Sequence, residues 1–244
     1  MKTFLINLDK EQARLAHMTT QLARLGIDFE RIPAVYGKEL PLKKRNQSVN
    51  PFRWWCAMGR SIALAEIGCA LSHFSIYQRM IDEDIPMACI LEDDITISSK
   101  FKECVARVEA ELDVTKSQVV LLSGHTQMYS NLNHEVDFEL RQSKFGTCAD
   151  GYCVTQKAAK VLLEQNLPLI VPCDTWERWV RQGKIHLFHM LPSVCQQNQA
   201  QFGSSTSEGR VDVKSLPLHK WVIHKSKRVI GKIVDTLLQE VTGR

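Results

Sequence analysis

Three consecutive carboxylates, Glu92, Asp93 and Asp94, sit inside the otherwise apolar stretch ACILEDDITI, residues 88–97. Like charges packed together raise one another's pKa unless a cation or hydrogen-bond donors offset the repulsion. The run MACIL before them has the length and composition of a buried strand, which puts the carboxylates at its C-terminal end. Ligands of open α/β sheets gather beyond that end of the strands. Alternate side chains of an extended segment share a face, so Glu92 and Asp94 are expected to point one way and Asp93 the other. Two carboxylates on one face make a hard-cation site suited to Mg²⁺ or Mn²⁺. A cation held by few protein oxygens keeps positions open for phosphates and can neutralise a departing diphosphate. Taken alone, the motif also reads as a solvated acidic turn, with Asp94 capping the next segment.

Other residues with chemical potential lie upstream and downstream. In EIGCALSH, residues 66–73, Glu66 and His73 are seven apart, so on a helix they share a face. Asp174 follows the apolar segment LPLIVPC. It reads either as a general base at a pocket rim or as the N-cap of a helix through TWERWVRQ. QQNQAQFGSSTSE, residues 196–208, is dense in amides and hydroxyls that could hydrogen-bond a sugar, and equally has the composition of a polar loop. His189 reads as structural.

The elements that must position these groups follow from periodicity. TFLINL is a short apolar strand. Asp9 and Gln12 form a D-x-x-Q capping box opening a helix, with Leu15, Met18, Leu22 and Leu25 at helical spacing and Gly26 at C′. DFERIPAV returns as a second strand, so the opening is a parallel crossover unit. Residues 37–60, basic and rich in turn formers, read as a long surface loop or lid; Trp54 or Trp55 plugging the core is the alternative. Helical spacing returns over 62–81 and ends before Pro86, and a further helix is expected over 99–112. QVVLLSG and GYCVT are later strands, with Thr155 capping a helix through KAAKVLLEQ. Alternating strands and helices specify an α/β sandwich.

Composition narrows the function class. A net charge of +4 over 244 residues is too small to argue for a nucleic-acid partner, and none is expected. Eight cysteines are scattered through apolar segments without a CxxC pair, which predicts reduced, mostly buried thiols and a cytoplasmic protein. The longest apolar runs fall short of a membrane span, and MKTFLINLDKEQ has no signal-peptide pattern.

The combination AEIGCALSHFSIYQRMI, a gap of about ten residues, then CILEDDI resembles the signature of glycosyltransferase family 25. That family includes the β-galactosyltransferases of bacterial lipooligosaccharide synthesis and, more distantly, the procollagen galactosyltransferases. FLINLDKEQARLAHMTTQL, ERIPAVYG, GYCVTQKAAKVLL and PLIVPCD resemble other segments of the family, so the likeness covers about residues 1–206. It implies a nucleotide-diphospho-sugar transferase fold of the GT-A type, a Rossmann-like α/β/α sandwich over residues 1–215. It also implies an inverting transfer of a hexose, most often galactose, from a UDP-sugar to a lipid-linked core oligosaccharide. By the same resemblance Asp94 and Glu92 bind Mn²⁺ or Mg²⁺, and Asp93 ligates the metal or holds the donor ribose. Ile6, Asn7 and Leu8 border the uracil, Arg14 lies near the nucleotide, Glu66 and His73 contact donor phosphate or sugar, and Asp174 is the base.

Residues 216–244 read as a basic amphipathic tail. HKWVIHKSKRVIGKIV, residues 219–234, carries Lys220, Lys225, Lys227, Arg228 and Lys232 with no acid, among apolar residues at three- and four-residue steps. That is the pattern of a helix lying on a membrane surface, here the inner membrane, or of a docked helix with a solvated basic face. Two other classes compete for the whole chain. EDDIT echoes the DxDxT motif of Mg²⁺-dependent haloacid-dehalogenase phosphohydrolases, but Glu92 stands where that chemistry needs an aspartate nucleophile. A non-catalytic nucleotide-sugar or membrane-surface binding module is the other.

Overall fold

The computed structural model describes residues 1–123, 137–198 and 218–243. It divides into two compact units. The first is built from Met1–Ala34, Ser72–Leu163 and the segment starting at Cys173; the second from Val35–Leu71, Glu164–Pro172 and the C-terminal helix.

The first unit is organised on a seven-stranded sheet. Its strands in chain order are β1 (Lys2–Asn7), β2 (Glu30–Pro33), β3 (Met87–Glu92), β5 (Gln118–Leu121), β6 (Glu139–Ser143), β7 (Gly151–Thr155) and β8 (His186–Leu191). They lie in the order β2-β1-β3-β7-β5-β8-β6. β1 pairs in parallel with both β2 and β3, and β5 with β8; β7 and β6 run against their neighbours. A two-stranded antiparallel ribbon joins β4 (Ile95–Ile97) to β9 (Cys195–Gln197). This is the α/β arrangement of a GT-A-like nucleotide-sugar transferase anticipated from the sequence.

Alternation along the strands decides which helix covers which face. Leu5, Cys89, Leu91 and Cys153 join Met18 and Leu22 of α1 (Gln12–Arg24) and Phe101, Cys104 and Val108 of α5 (Phe101–Glu111) in one core. The opposite face carries Phe4, Ile90 and Tyr152. There α4 (Leu64–Asp82) supplies Arg79 over the Phe4 ring and Tyr77 against the Tyr152 hydroxyl. None of the eight cysteines forms a disulfide, and six are buried. Burial pushes the Cys153 and Cys195 thiols far up, so they pack as inert apolar groups.

Helix ends show where local reading succeeds. After α1, Gly26 adopts φ +60°, its N–H donates to Ala23 O, and the Ile27 N–H donates to Leu22 O. This is the Schellman stop expected at that glycine. Thr155 Oγ1 accepts the Ala158 N–H at the start of α6 (Gln156–Asn166), as its capping position predicts. The capping box at Asp9 does not form. α1 begins two residues later, with Glu11 at its N-cap; Asp9 pairs with Arg31, and Gln12 donates to the Asp9 carbonyl instead.

In the second unit the loop expected over 37–60 is mostly helical. It contains α2 (Leu42–Ser48) and α3 (Pro51–Met58), and Trp54 is buried. Asn50 accepts the Arg53 N–H and Pro51 takes the first helical position, a helix start signal set within a basic stretch. Gly59 then closes α3 at φ +69°. α8 (Leu218–Thr242) packs on α3, where a Cβ on Gly231 would lie 2.7 Å from the Cys56 carbonyl oxygen.

Candidate active site

The parallel strands deliver several polar groups to one edge of the sheet. β1 ends at Asn7 and β3 at Glu92, with Ile6 opposite Glu92. β7 runs the other way, so its start lies at the same edge: Leu91 faces Gly151, and the Glu92 N–H donates to the Asp150 carbonyl at 2.8 Å. Ser123, just beyond β5, donates its hydroxyl to the Asp150 carboxylate.

The strand stops at Glu92, and Asp93–Asp94 form a turn before β4. Strand alternation therefore does not carry through the motif, and the expected split of Glu92 and Asp94 against Asp93 is not what forms. Asp93 and Asp94 converge on one cation instead: Arg14 Nη1 lies 3.3 Å from Asp93 Oδ1 and 3.7 Å from Asp94 Oδ2. Asn7 holds Asp93 from the other side. Its Nδ2 donates to Asp93 Oδ2 at 2.7 Å and to the Glu11 carbonyl at 3.0 Å, while its Oδ1 accepts from Arg31 Nε at 2.9 Å. Glu92 turns toward α4, where His73 Nε2 is 3.2 Å from its Oε1.

Asp94 is the least satisfied of the three. Its Oδ1 is buried with no hydrogen-bond partner among the described residues, and its Oδ2 meets Gln197 Nε2 at 3.4 Å. Burial, then the charge of Glu92, pushes its carboxyl up to about 7 against the pull of Arg14. Burial also raises Asp93, opposed by the Asn7 hydrogen bond and Arg14. Asp150 is a further carboxylate that sequence reading missed. Burial lifts it to about 6, with Ser123 opposing and Glu92 adding to the rise. A buried carboxylate oxygen with no hydrogen-bond partner among the described residues is a donor of the kind a hard divalent cation takes. Glu92 and Asp94 are the residues that would hold it.

The remaining expected residues divide. Ile6 is paired on both sides in the sheet and its side chain is buried in the core, so it offers little surface to a ligand. Leu8 is half-buried, and its carbonyl accepts the Glu11 N–H. Glu66 is taken up in the second unit. It binds Arg60 through both carboxylate oxygens at 2.6 Å and accepts the Ala63 N–H at the start of α4, so it acts as helix cap and ion-pair partner. Asp174 accepts the Cys148 N–H at 3.3 Å. The N-cap of α7 (Trp176–Arg181) is Thr175, which removes the capping alternative for Asp174. His189 Nε2 donates to the Phe145 carbonyl at 2.8 Å, a structural contact.

Gln197 and Asn198, near the start of the amide-rich stretch, sit against the carboxylate turn. The Asn198 N–H donates to the Asp94 carbonyl at 2.7 Å, and Asn198 Nδ2 lies 3.3 Å from Thr96 Oγ1. The rest of that stretch, 199–208, lies outside the described residues.

Residues 1–176 match the family described as glycosyltransferase family 25 (LPS biosynthesis protein). A Haemophilus influenzae protein, provisionally named a glycosyltransferase, is 28% identical over 94% of this chain and 84% of its own length. A glycosyltransferase 25 family member of Anopheles gambiae is 29% identical, and procollagen galactosyltransferase 1-B of Xenopus laevis 28%, each over 71% of this chain. The chain spans only 30% of the length of each of those two animal proteins. With more than half of its length matched, and a carboxylate turn at the carboxyl edge of its sheet, the chain belongs to glycosyltransferase family 25.

Proposed function

We propose that this glycosyltransferase moves a hexose, galactose before glucose, from a UDP-sugar to a lipopolysaccharide or lipooligosaccharide core acceptor, with inversion at the anomeric carbon. The observation that carries the reading is the Asp93–Asp94 turn with its buried Asp94 Oδ1, which has no hydrogen-bond partner among the described residues. The galactosyltransferase name of the frog relative supports the sugar.

Each residue then has a task. Asp94 and Glu92 hold Mn²⁺ or Mg²⁺, which when bound supplies positive charge for the departing diphosphate. Asn7 and Arg14 fix the turn and oppose the rise that burial imposes on the Asp93 carboxyl. Asp174 takes the proton of the acceptor hydroxyl as it attacks, the carboxylate task in glycosyl transfer. The test is UDP release with Mn²⁺ and a panel of UDP-sugars, with and without truncated lipooligosaccharide. Acceptor-dependent release is expected. Phosphate released from monoesters would favour the hydrolase, and tight donor binding without turnover the binding module; either overturns the proposal.

The acceptor's lipid places the enzyme at the cytoplasmic side of the inner membrane in this reading. Among the described residues no helix is long and apolar enough to cross a membrane. α8 turns Gly231 and Asp235 to the protein and leaves Val229, Ile230, Ile233, Leu237 and Val241 exposed, with Arg228 and Lys232 also at the surface. An apolar stripe beside basic groups suits an anionic bilayer, each basic residue adding about 1 kcal/mol near the surface. Replacing Ile233 and Leu237 together by glutamate leaves the docked face untouched. Co-sedimentation with anionic liposomes should fall at least about tenfold; unchanged binding would sink the membrane assignment.

A further inference from the structure

A hydrogen-bonded line runs from the interior of the first unit to the carboxylate turn. The Tyr77 and Tyr152 hydroxyls are 2.7 Å apart, the Tyr152 hydroxyl is 2.9 Å from His73 Nδ1, and His73 Nε2 is 3.2 Å from Glu92 Oε1. Tyr77, Tyr152 and His73 are buried, whereas the Glu92 side chain is 25% exposed. The line therefore begins in the core and ends at an accessible carboxylate.

Its direction is set by its last member. A carboxylate oxygen is an acceptor, so the contact with Glu92 Oε1 calls for the His73 proton on Nε2. Nδ1 is then an acceptor and takes the Tyr152 O–H, and the Tyr152 oxygen in turn takes the Tyr77 O–H. The opposite tautomer would satisfy both tyrosines but would aim the Nε2 lone pair at the Glu92 carboxylate. Tyr152 is also the point where this line meets the other side of the site. Its ring contacts Trp176 at 5.3 Å between centroids and 58°, and Trp176 Nε1 donates to the Cys148 carbonyl at 3.0 Å. Cys148 is the residue whose N–H holds Asp174.

We propose that Tyr152 is a positioning residue: it holds His73 as the Nε2–H tautomer, through which Glu92 is oriented in the carboxylate cluster, and its ring steadies the segment that carries Asp174. The proposal rests on the assignment of Glu92 as a cation ligand for its effect on metal binding, and is independent of it for the tautomer.

Two measurements on the full chain test it. In ¹⁵N-histidine spectra, with His73 identified from the His73→Gln variant, the parent should show the Nε2–H tautomer near neutral pH. Tyr152→Phe keeps the ring against Trp176 but removes the donor, and should give a mixture of tautomers. Mn²⁺ binding, measured without any sugar donor, should weaken about tenfold in Tyr152→Phe. It should weaken less in Tyr77→Phe, which leaves the Tyr152 donor in place. His73→Gln, whose amide can still donate to Glu92, should retain more Mn²⁺ affinity than His73→Ala. A parent Nδ1–H or doubly protonated ring, or a Tyr152→Phe variant that is folded with unchanged tautomer and Mn²⁺ affinity within twofold, overturns the proposal. A parent that binds no Mn²⁺ would defeat the metal assignment instead, and the tautomer spectra would still decide the role of Tyr152.

Discussion

Asp94→Asn is expected to stabilise the metal-free chain at pH 8 while removing Mn²⁺ binding and lowering transferase turnover by about 10²–10³-fold or more. The two effects share one cause. In the folded chain the Asp94 carboxyl is raised from 3.8 to about 7, because burial and Glu92 outweigh Arg14. Between those values the folded state binds the proton more tightly than the unfolded chain. Stability therefore falls as pH rises through that window, on the order of 1 kcal/mol per pH unit, and levels off above about 7. Asparagine cannot ionise, so the variant's unfolding midpoint should lose this slope between pH 4 and 7. Denaturant titrations at pH 5, 6, 7 and 8 read the difference directly. A parallel consequence is that Mn²⁺ must displace a proton below pH 7, so parent affinity should weaken as pH falls. A variant with the parent's pH slope, or with unchanged turnover, would refute the assignment of Asp94.

Gly68→Ala carries a large expected effect on stability, and two effects oppose one another in setting its sign. Alanine in a helix interior is favoured over glycine by about 1 kcal/mol. The new Cβ, however, would lie 2.4 Å from the Val35 carbonyl oxygen and 2.8 Å from the Gly37 nitrogen. Both are backbone atoms, which cannot swing aside as a side chain can. Overpacking of this kind costs about 1–3 kcal/mol or more, and a clash with backbone belongs at the upper end. Net destabilisation of about 2 kcal/mol is expected, seen as a lower denaturant midpoint with little change in slope. An unchanged or raised midpoint would show that the Val35–Gly37 segment yields easily. The glycine of EIGC is thus accounted for by close approach of two backbones within the second unit, and its glutamate by Arg60 and the helix start.

The strands and helices with strong local signals were legible in the sequence. β1, β3 and β7 lie where apolar runs placed them, and Gly26 and Thr155 end and start helices as their side chains dictate. What was not legible depended on where pairing stops. β3 ends at Glu92 opposite Ile6, and nothing in ILEDD marks that residue as the last before a turn. The alternation argument therefore assigned faces to a segment that is not extended. α2 and α3 were hidden by basic composition, although Asn50 followed by Pro51 was a usable start signal. The partnership of Ser123 with Asp150 spans 27 residues and arises only because β5 and β7 are neighbours, an arrangement no local pattern encodes.

The reversed course of β7 has a consequence for how such a site can diversify. A purely parallel sheet offers its carboxyl edge only chain that is leaving a strand. Here one flank of the site is outgoing chain, Asn7 and Glu92–Asp94, while the other is incoming chain, Cys148–Asp150 ahead of β7. Insertions or exchanges in the incoming segment change what lies opposite the carboxylate turn without altering the register of β1 and β3 that holds the turn itself. Evolution can therefore rewrite the incoming flank while leaving the outgoing flank, with Asn7 and Glu92–Asp94, under separate selection.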